Sequence, residues 1–297
     1  MTATPDLVVL GYVWLRRDHD LIMAAARARG LSAELWNPSH ISVEVGASGE
    51  RVRYLGDAVT PLHVLPRGVN RVLPLITHVL DVWGSEGTRC VPTIAAALTC
   101  ADKVATTRCL ARAGVPIMPS TAVLGGPDYV ANTLAQLPER ALVVKPSFGS
   151  GGRDVVTYET RDAAVRALRE ITRQAHGSIE HHVVQPQATG ARRDYRVVVA
   201  NGKAVAGTQR TAGPGRFTTN GTSSSITPYR SAEIDEIAVA AATAIGLEFT
   251  GIDVIEHDGN MVVLEANAWP GLSLTGGVCG VNLAEVLLDV LLDTPES

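Results

Sequence analysis

The chain has 297 residues, a length that suggests about two domains. Lysine and arginine number 26 against 30 acidic residues, a formal −4, with 46% hydrophobic and 4% aromatic residues. A chain of this kind buries a core, which excludes a disordered polymer. It also lacks the basic field and stacking surface on which nucleic-acid binding rests.

The elements follow in chain order. Residues 6–13 form a short apolar run, the pattern of a strand buried on both faces. Residues 18–29 predict a helix, with Leu21, Ala24, Ala25 and Ala28 on one side and Gly30 just past its end. Residues 33–36 predict a second strand, and this β-α-β start favours a parallel α/β sheet. No G-x-G-x-x-G follows the first strand, so a Rossmann dinucleotide site has no support. A looser stretch with Gly46, Gly49, Gly56 and Pro61 comes next, then a helix near 70–82.

The first unit is expected to span 1–100. A second, 101–188, opens on a helix with Thr99 as N-cap, ended by Gly114 and Pro116. Residues 141–146 predict a strand. Residues 161–175 predict an amphipathic helix with Ala164, Leu168, Ile171 and Ala175 on one face, and 183–185 a further strand. The third unit, 189–297, alternates like antiparallel strands over 195–199 and 203–209. A polar loop over 211–227, a helix over 233–245, a hairpin over 251–266 and a helix over 282–292 complete it. The fold class expected is α/β followed by α+β.

Cys90, Cys100, Cys109 and Cys279 form no C-x-x-C pair and read as reduced, mostly buried thiols. No basic region precedes an apolar stretch at the N-terminus, and no apolar run reaches the ~18 residues needed to cross a bilayer. The expectation is a cytoplasmic protein with neither nucleic acid nor membrane as partner.

Lys145 stands at a strand end before a loop carrying Gly149, Ser150, Gly151 and Gly152. Glycine lets backbone N–H groups approach an anion, and the lysine adds a point charge; a mobile surface loop is the plainer alternative. Lys103 lies early in its helix, where the macrodipole disfavours a cation, so it either meets a phosphate or is simply solvated. Arg196 and Arg210 fall on adjacent predicted strands, and planar guanidinium groups suit a carboxylate or a transferring phosphoryl group. Asn220 is either a turn residue or a phosphate contact.

The segment 251–267 is the strongest local signal. A two-residue Asp258-Gly259 loop would place Asp253 opposite Leu264 and send Glu265 to the other face. A three-residue loop pairs His257 with Met261 and therefore Asp253 with Glu265, with Asn267 on the same face. Like charges placed directly opposite need a neutraliser. A hard divalent cation with oxygen ligands, Mg²⁺ above all, is the natural one.

Taken in order, these residues resemble the ATP-grasp superfamily and, within it, the RimK-type carboxylate–amine ligases. The resemblance runs from Asp102-Lys103 and Gly114-Val115-Pro116 through Lys145-Pro146 and the glycine loop, then Val184-Gln185, Asp194-Tyr195-Arg196 and Gln209-Arg210. It continues through Phe217 with Asn220 and Gly251-Ile252-Asp253 to Glu265-Ala266-Asn267 and Pro270-Gly271-Leu272. Leu65-Pro66-Arg67 is similar to a segment of the RimK-type first domain.

The resemblance implies an ATP-grasp fold behind an N-terminal Rossmann-like (pre-ATP-grasp) domain. It implies ATP held by Lys103, Lys145, Gly149, Ser150, Gly151 and Gly152, with Gln185, Pro186 and Gln187 as the adenine hinge. Asp253, Glu265 and Asn267 would bind Mg²⁺, with Mn²⁺ as an alternative, while Arg196, Arg210 and Asn220 would attend an acyl phosphate that an amine then displaces. The implied partners are an amino-acid carboxylate and a small molecule, peptide or carrier protein bearing an amine, with a homodimer or homotetramer as the implied assembly. A different ATP-grasp chemistry, such as carboxylation, and a non-catalytic ATP-binding module are the alternatives. The chain departs from the family pattern at Asp154, in the Gly221–Ser225 stretch, and in a hinge without an acid.

Overall fold

Strand β1 (Leu7–Gly11) is buried along its whole length because it is an interior strand of a parallel sheet with apolar cover on both faces. The structure, a computed structural model, describes residues 4–12, 16–47, 49–69, 72–123, 127–149, 153–174, 181–190, 192–213 and 223–293. After β1 come α1 (Arg16–Ala28), β2 (Ala33–Trp36), β3 (Ile41–Gly46), β4 (Gly49–Tyr54), β5 (Asp57–Ala58), β6 (His63–Arg67), α2 (Leu73–Ser85) and β7 (Arg89–Cys90). The parallel sheet runs in the order β2-β1-β6-β7. Leu7, Val9 and Leu65 face one core, and Val8, Leu10 and Val64 face another. The stretch expected to be loose between β2 and β6 is instead the small antiparallel sheet β3-β4-β5, whose glycines sit at its turns rather than breaking it.

Next come α3 (Ile94–Ala101), α4 (Lys103–Arg112), β8 (Thr121–Val123), α5 (Pro127–Leu134), β9 (Leu142–Pro146), β10 (Val156–Tyr158), α6 (Arg161–Gln174) and β11 (His182–Pro186). The expected cap at Thr99 is corrected. Thr93 caps α3, Thr99 lies inside that helix, and Asp102 caps α4 by accepting from the N–H of Val104 at 2.8 Å. Two N-capping residues nine positions apart compete for one run of helix formers, and the chain breaks at the second. The antiparallel sheet β10-β9-β11-β8 packs α5 and α6 around its own core of Val123, Val130, Leu134, Leu142, Val144 and Leu168.

The chain closes with β12 (Arg193–Ala200), β13 (Lys203–Ala212), β14 (Ser223–Pro228), α7 (Ala232–Ile245), β15 (Phe249–His257), β16 (Asn260–Asn267), α8 (Ser273–Cys279) and α9 (Leu283–Leu292). The part of the expected 211–227 loop that is described belongs largely to β13 and β14, and α8 has no counterpart in the sequence reading. The antiparallel sheet β14-β13-β12-β15-β16 has two different faces. Val197, Val199, Ile252 and Val254 pack on α7, together with Ile234, Ala238 and Ala241.

On the other face, Val198, Ala200, Ala206 and Phe249 pack with α9 and with Leu7, Val9 and Ile22 of the first sheet and α1. Farther along that face the residues turn polar: Asp194, Arg196, Arg210 and Asp253. The two-residue period of β structure thus builds the core and the site from alternate positions of the same strands. No single described helix is long and apolar enough to cross a membrane. The bent pair α8–α9 has the length and composition, but α9 buries Leu283, Leu287, Leu288 and Leu291 in this core. All four cysteines are free, and burial pushes the Cys90 and Cys100 thiols up to about 12, which leaves them unreactive.

Candidate active site

Two lysines come together where α4 meets β9. Asp102 accepts from Ser147 Oγ at 2.5 Å, and Lys103 N–H donates to the Ser147 carbonyl at 3.0 Å, so the start of α4 is tied to the end of β9. Lys103 is the first residue of α4, and its Nζ donates to the Gly149 carbonyl at 3.1 Å. Lys145 projects from β9 and is 6% exposed. Burial pulls its pKa down to about 8, with Glu265 opposing that shift and Lys103 reinforcing it. Lys103 is lowered for the same reason and is likewise opposed by Glu265.

The carboxylates come from the β15–β16 hairpin. Asp253 and Glu265 are direct cross-strand partners, as the three-residue-loop register expected, but the mechanism differs. Asp258-Gly259 is a two-residue turn, with φ of 49° and 80° and with His257 paired to Asn260. That register alone would point Glu265 the wrong way. A bulge beyond Val254 leaves Leu264 unpaired and restores Glu265 to the face of Asp253. Burial and the nearby Asp253 raise the Glu265 pKa, against the pull of Lys103 and Lys145, and its carboxylate has no hydrogen bond among the described residues.

Asp253 is 1% exposed and is held by guanidinium groups. Arg196 Nε and Nη2 donate to its two oxygens at 2.7 and 2.6 Å, and Arg210 Nη2 lies 3.0 Å away. Burial would raise the Asp253 pKa, but Arg196 and Arg210 outweigh it and hold the carboxyl below its ordinary range. Arg210 Nε donates to Asp194 at 2.5 Å, so two acids and two arginines alternate across three adjacent strands. Asn267 Nδ2 stands 3.5 Å from Asp253.

One cleft collects most of the expected residues: Lys103, Lys145, Gly149, Gln185, Pro186, Gln187, Arg210, Asp253 and Glu265. Gln185 is engaged beneath its floor, donating to Ser120 Oγ at 2.8 Å, and Gln187 N–H donates to the Ala141 carbonyl at 2.8 Å. Arg196 and Asn267 are not among the residues that line the cleft, and each contacts Asp253. Ser150, Gly151, Gly152 and Asn220 lie outside the described residues. The sequence reading missed Arg153 and Arg193, which line the cleft and form no ion pair among the described residues, and it gave Asp194 no role. The register could have found Asp194, because a residue two before Arg196 shares its face and stands opposite Arg210.

Among the described residues, no three His, Cys, Asp or Glu side chains form a metal-binding group. Asp253, Glu265 and Asn267 can each supply an oxygen donor; the Glu265 carboxylate has no hydrogen bond among the described residues, whereas both Asp253 oxygens are held by Arg196 and Arg210. That chemistry fits a hard divalent cation.

Similar proteins share this architecture. A RimK-domain ATP-grasp protein from Sphaerobacter thermophilus has 25% identity and a TM-score of 0.73, the match covering 96% of this chain and 99% of that one. The ATP-grasp ligase PsnB, solved with a minimal precursor, has 23% identity and a TM-score of 0.72 over 98% and 99% of the two chains, which speaks for the fold. A probable alpha-L-glutamate ligase of Xanthomonas euvesicatoria is 31% identical over 277 residues, 91% of each chain. Fold and site together define an ATP-dependent carboxylate–amine ligase. The chain belongs to the RimK-like ATP-grasp family, whose description matches residues 100–291.

Proposed function

We infer that this ligase activates a substrate carboxylate with ATP and joins it to the amino group of glutamate or a similar acidic amino acid. We further read the chain as a first unit (1–100), an ATP-grasp small unit (101–188) and a C-terminal unit (189–297) that carries the carboxylates. The observation that carries this reading is one cleft lined by two lysines, the Asp194–Arg210–Asp253 chain and a Glu265 with no hydrogen bond among the described residues, with Arg196 paired to Asp253. Relatives named as probable alpha-L-glutamate ligases support glutamate as a substrate, and Arg153 and Arg193, which form no ion pair among the described residues, suit its additional carboxylate.

Lys103 and Lys145 offset phosphate charge, and the backbone of Gln185, Pro186 and Gln187 borders the base. Asp253, Glu265 and Asn267 would hold Mg²⁺, with Mn²⁺ as a substitute, and the bound cation supplies neutralisation of phosphate oxygens. Arg196 and Arg210 orient the acid and stabilise charge that develops on the transferring phosphoryl group. The protein's part is positioning and charge matching; the covalent steps belong to ATP, carboxylate and amine.

ADP release is measured with Mg²⁺, ATP and a panel of amino acids, with and without candidate carboxylate acceptors, glutamyl peptides among them. Glutamate-dependent release is expected. Release that follows bicarbonate instead, or a complete panel without release, would overturn the reading. Asp253→Asn and Glu265→Gln should both abolish ADP formation with circular dichroism unchanged; near-normal turnover would remove the metal assignment.

A further inference from the structure

Arg67 ends β6 and is almost fully enclosed, at 3% exposure. A guanidinium taken so far from water must have its charge matched. Asp18, in the first turn of α1, does this at 3.3 Å. Arg67 Nη2 also donates to the Pro270 carbonyl at 2.6 Å, and the Asp18 carboxylate accepts from the N–H groups of Leu272 and Ser273, both at 2.9 Å. The ion pair therefore grips both ends of the turn that follows β16, the strand carrying Glu265 and Asn267.

Pro270 in turn reaches into the site. A methyl group added to Gly251 would stand 2.9 Å from Pro270 Cβ and 3.7 Å from Arg196 Cδ. The proline ring and the stem of Arg196 thus share the space that any larger residue at 251 would fill. From there Arg196 extends to Asp253, and the Gly251 carbonyl accepts from Asn267 Nδ2 at 3.4 Å.

We propose that Arg67 is a positioning residue for the ligase reaction. With Asp18 it fixes the Pro270 turn, and the turn fixes the stem of Arg196 over Gly251. A residue of the first sheet thereby sets the aim of a guanidinium on β12. The proposal rests on the reading of Arg196 given above, and the test separates the two.

Arg67→Lys keeps a cation and one donor in place. Gly251→Ala keeps both Arg67 and Asp18 and displaces Pro270 from the opposite side, so it carries the test if Arg67→Lys does not fold. Each should lower kcat about tenfold and leave nucleotide Kd within about twofold, because a small misplacement at the reacting centre weighs on the transition state. In an Arg196→Lys background the further loss should shrink below about twofold, as for residues that act through one another. Losses that multiply in full in that background, or a lowered Tm with kcat and Kd both unchanged, would reduce Arg67 to a structural tie. A wild-type kcat in Arg196→Lys alone would overturn the role of Arg196 as well.

Discussion

Lys145 carries a charge that its surroundings barely support, and nucleotide binding should expose this. Its pKa stands at about 8 because burial disfavours the ammonium form, while a bound phosphate favours it. Below that pH the lysine is already charged and affinity should be flat. Above it, binding must take up a proton, so affinity should fall as pH rises from about 8 towards 10. Calorimetry in buffers of different ionisation enthalpy should show that uptake near about pH 9, and Lys145→Met should abolish it. Equal affinity across the window would contradict the assignment. Arg210 sits differently, between Asp194 and Asp253, both of which hold its charge firmly. Arg210→Ala should lower kcat by about a hundredfold while nucleotide Kd changes little, since its role falls on developing charge. A loss confined to nucleotide affinity would place it at the wrong step.

Among the elements, α4 shows how a local signal was half legible. Lys103 stood out as a cation at a helix start, yet the cap belongs to Asp102 rather than Thr99. Asp102 both caps α4 and accepts from Ser147, so it sets Lys103 beside β9. Asp102→Ala should cost about 1 kcal/mol, the usual worth of a cap, and weaken nucleotide binding as well. Thermal unfolding and nucleotide titration check this together; a lower Tm with unchanged affinity would make the cap purely structural. The hairpin was legible in its outcome and not in its cause. Alternation marked Asp253 and Glu265 as partners, but turn chemistry demanded a register that separates them. Only a bulge between Val254 and Asp253 reconciles the two.

At the scale of the whole molecule, the chain's first and last thirds share one core. Leu7, Val9, Ile22 and Leu65 pack with Val198, Phe249, Leu287 and Leu291, while the sheet of β8 to β11 keeps a separate cluster. Calorimetry should therefore resolve the unfolding of 121–186 from one joint transition of the rest. Three separate transitions, or the first unit melting alone, would contradict it. The joint transition should weaken in acid. Burial raises the Asp18 pKa, but the N–H groups of Leu272 and Ser273 and the charge of Arg67 outweigh it and hold the carboxyl below its ordinary value. A depressed acid contributes stability above its unfolded pKa and loses it as pH falls through the folded one. Asp18→Asn should flatten that acid dependence.

The sequence by itself determined the class of fold and the order of the longer helices and strands, but not β3 to β8, β10, β14, α3, α5 or α8, and it marked the residue types of the candidate site. Those depend on periodicity, turn residues and charge, which act over a few positions. Tertiary structure decided which groups meet. The two arginines expected near a transferring phosphoryl group are bound to Asp253. Glu265 reaches its partner through a bulge, and Arg67, distant in sequence, touches the turn beside Arg196. The arginine and Arg67 pairings span residues far apart along the chain, and the hairpin pairing turns on a bulge, so long-range packing and the compensation of buried charge outweigh local preference.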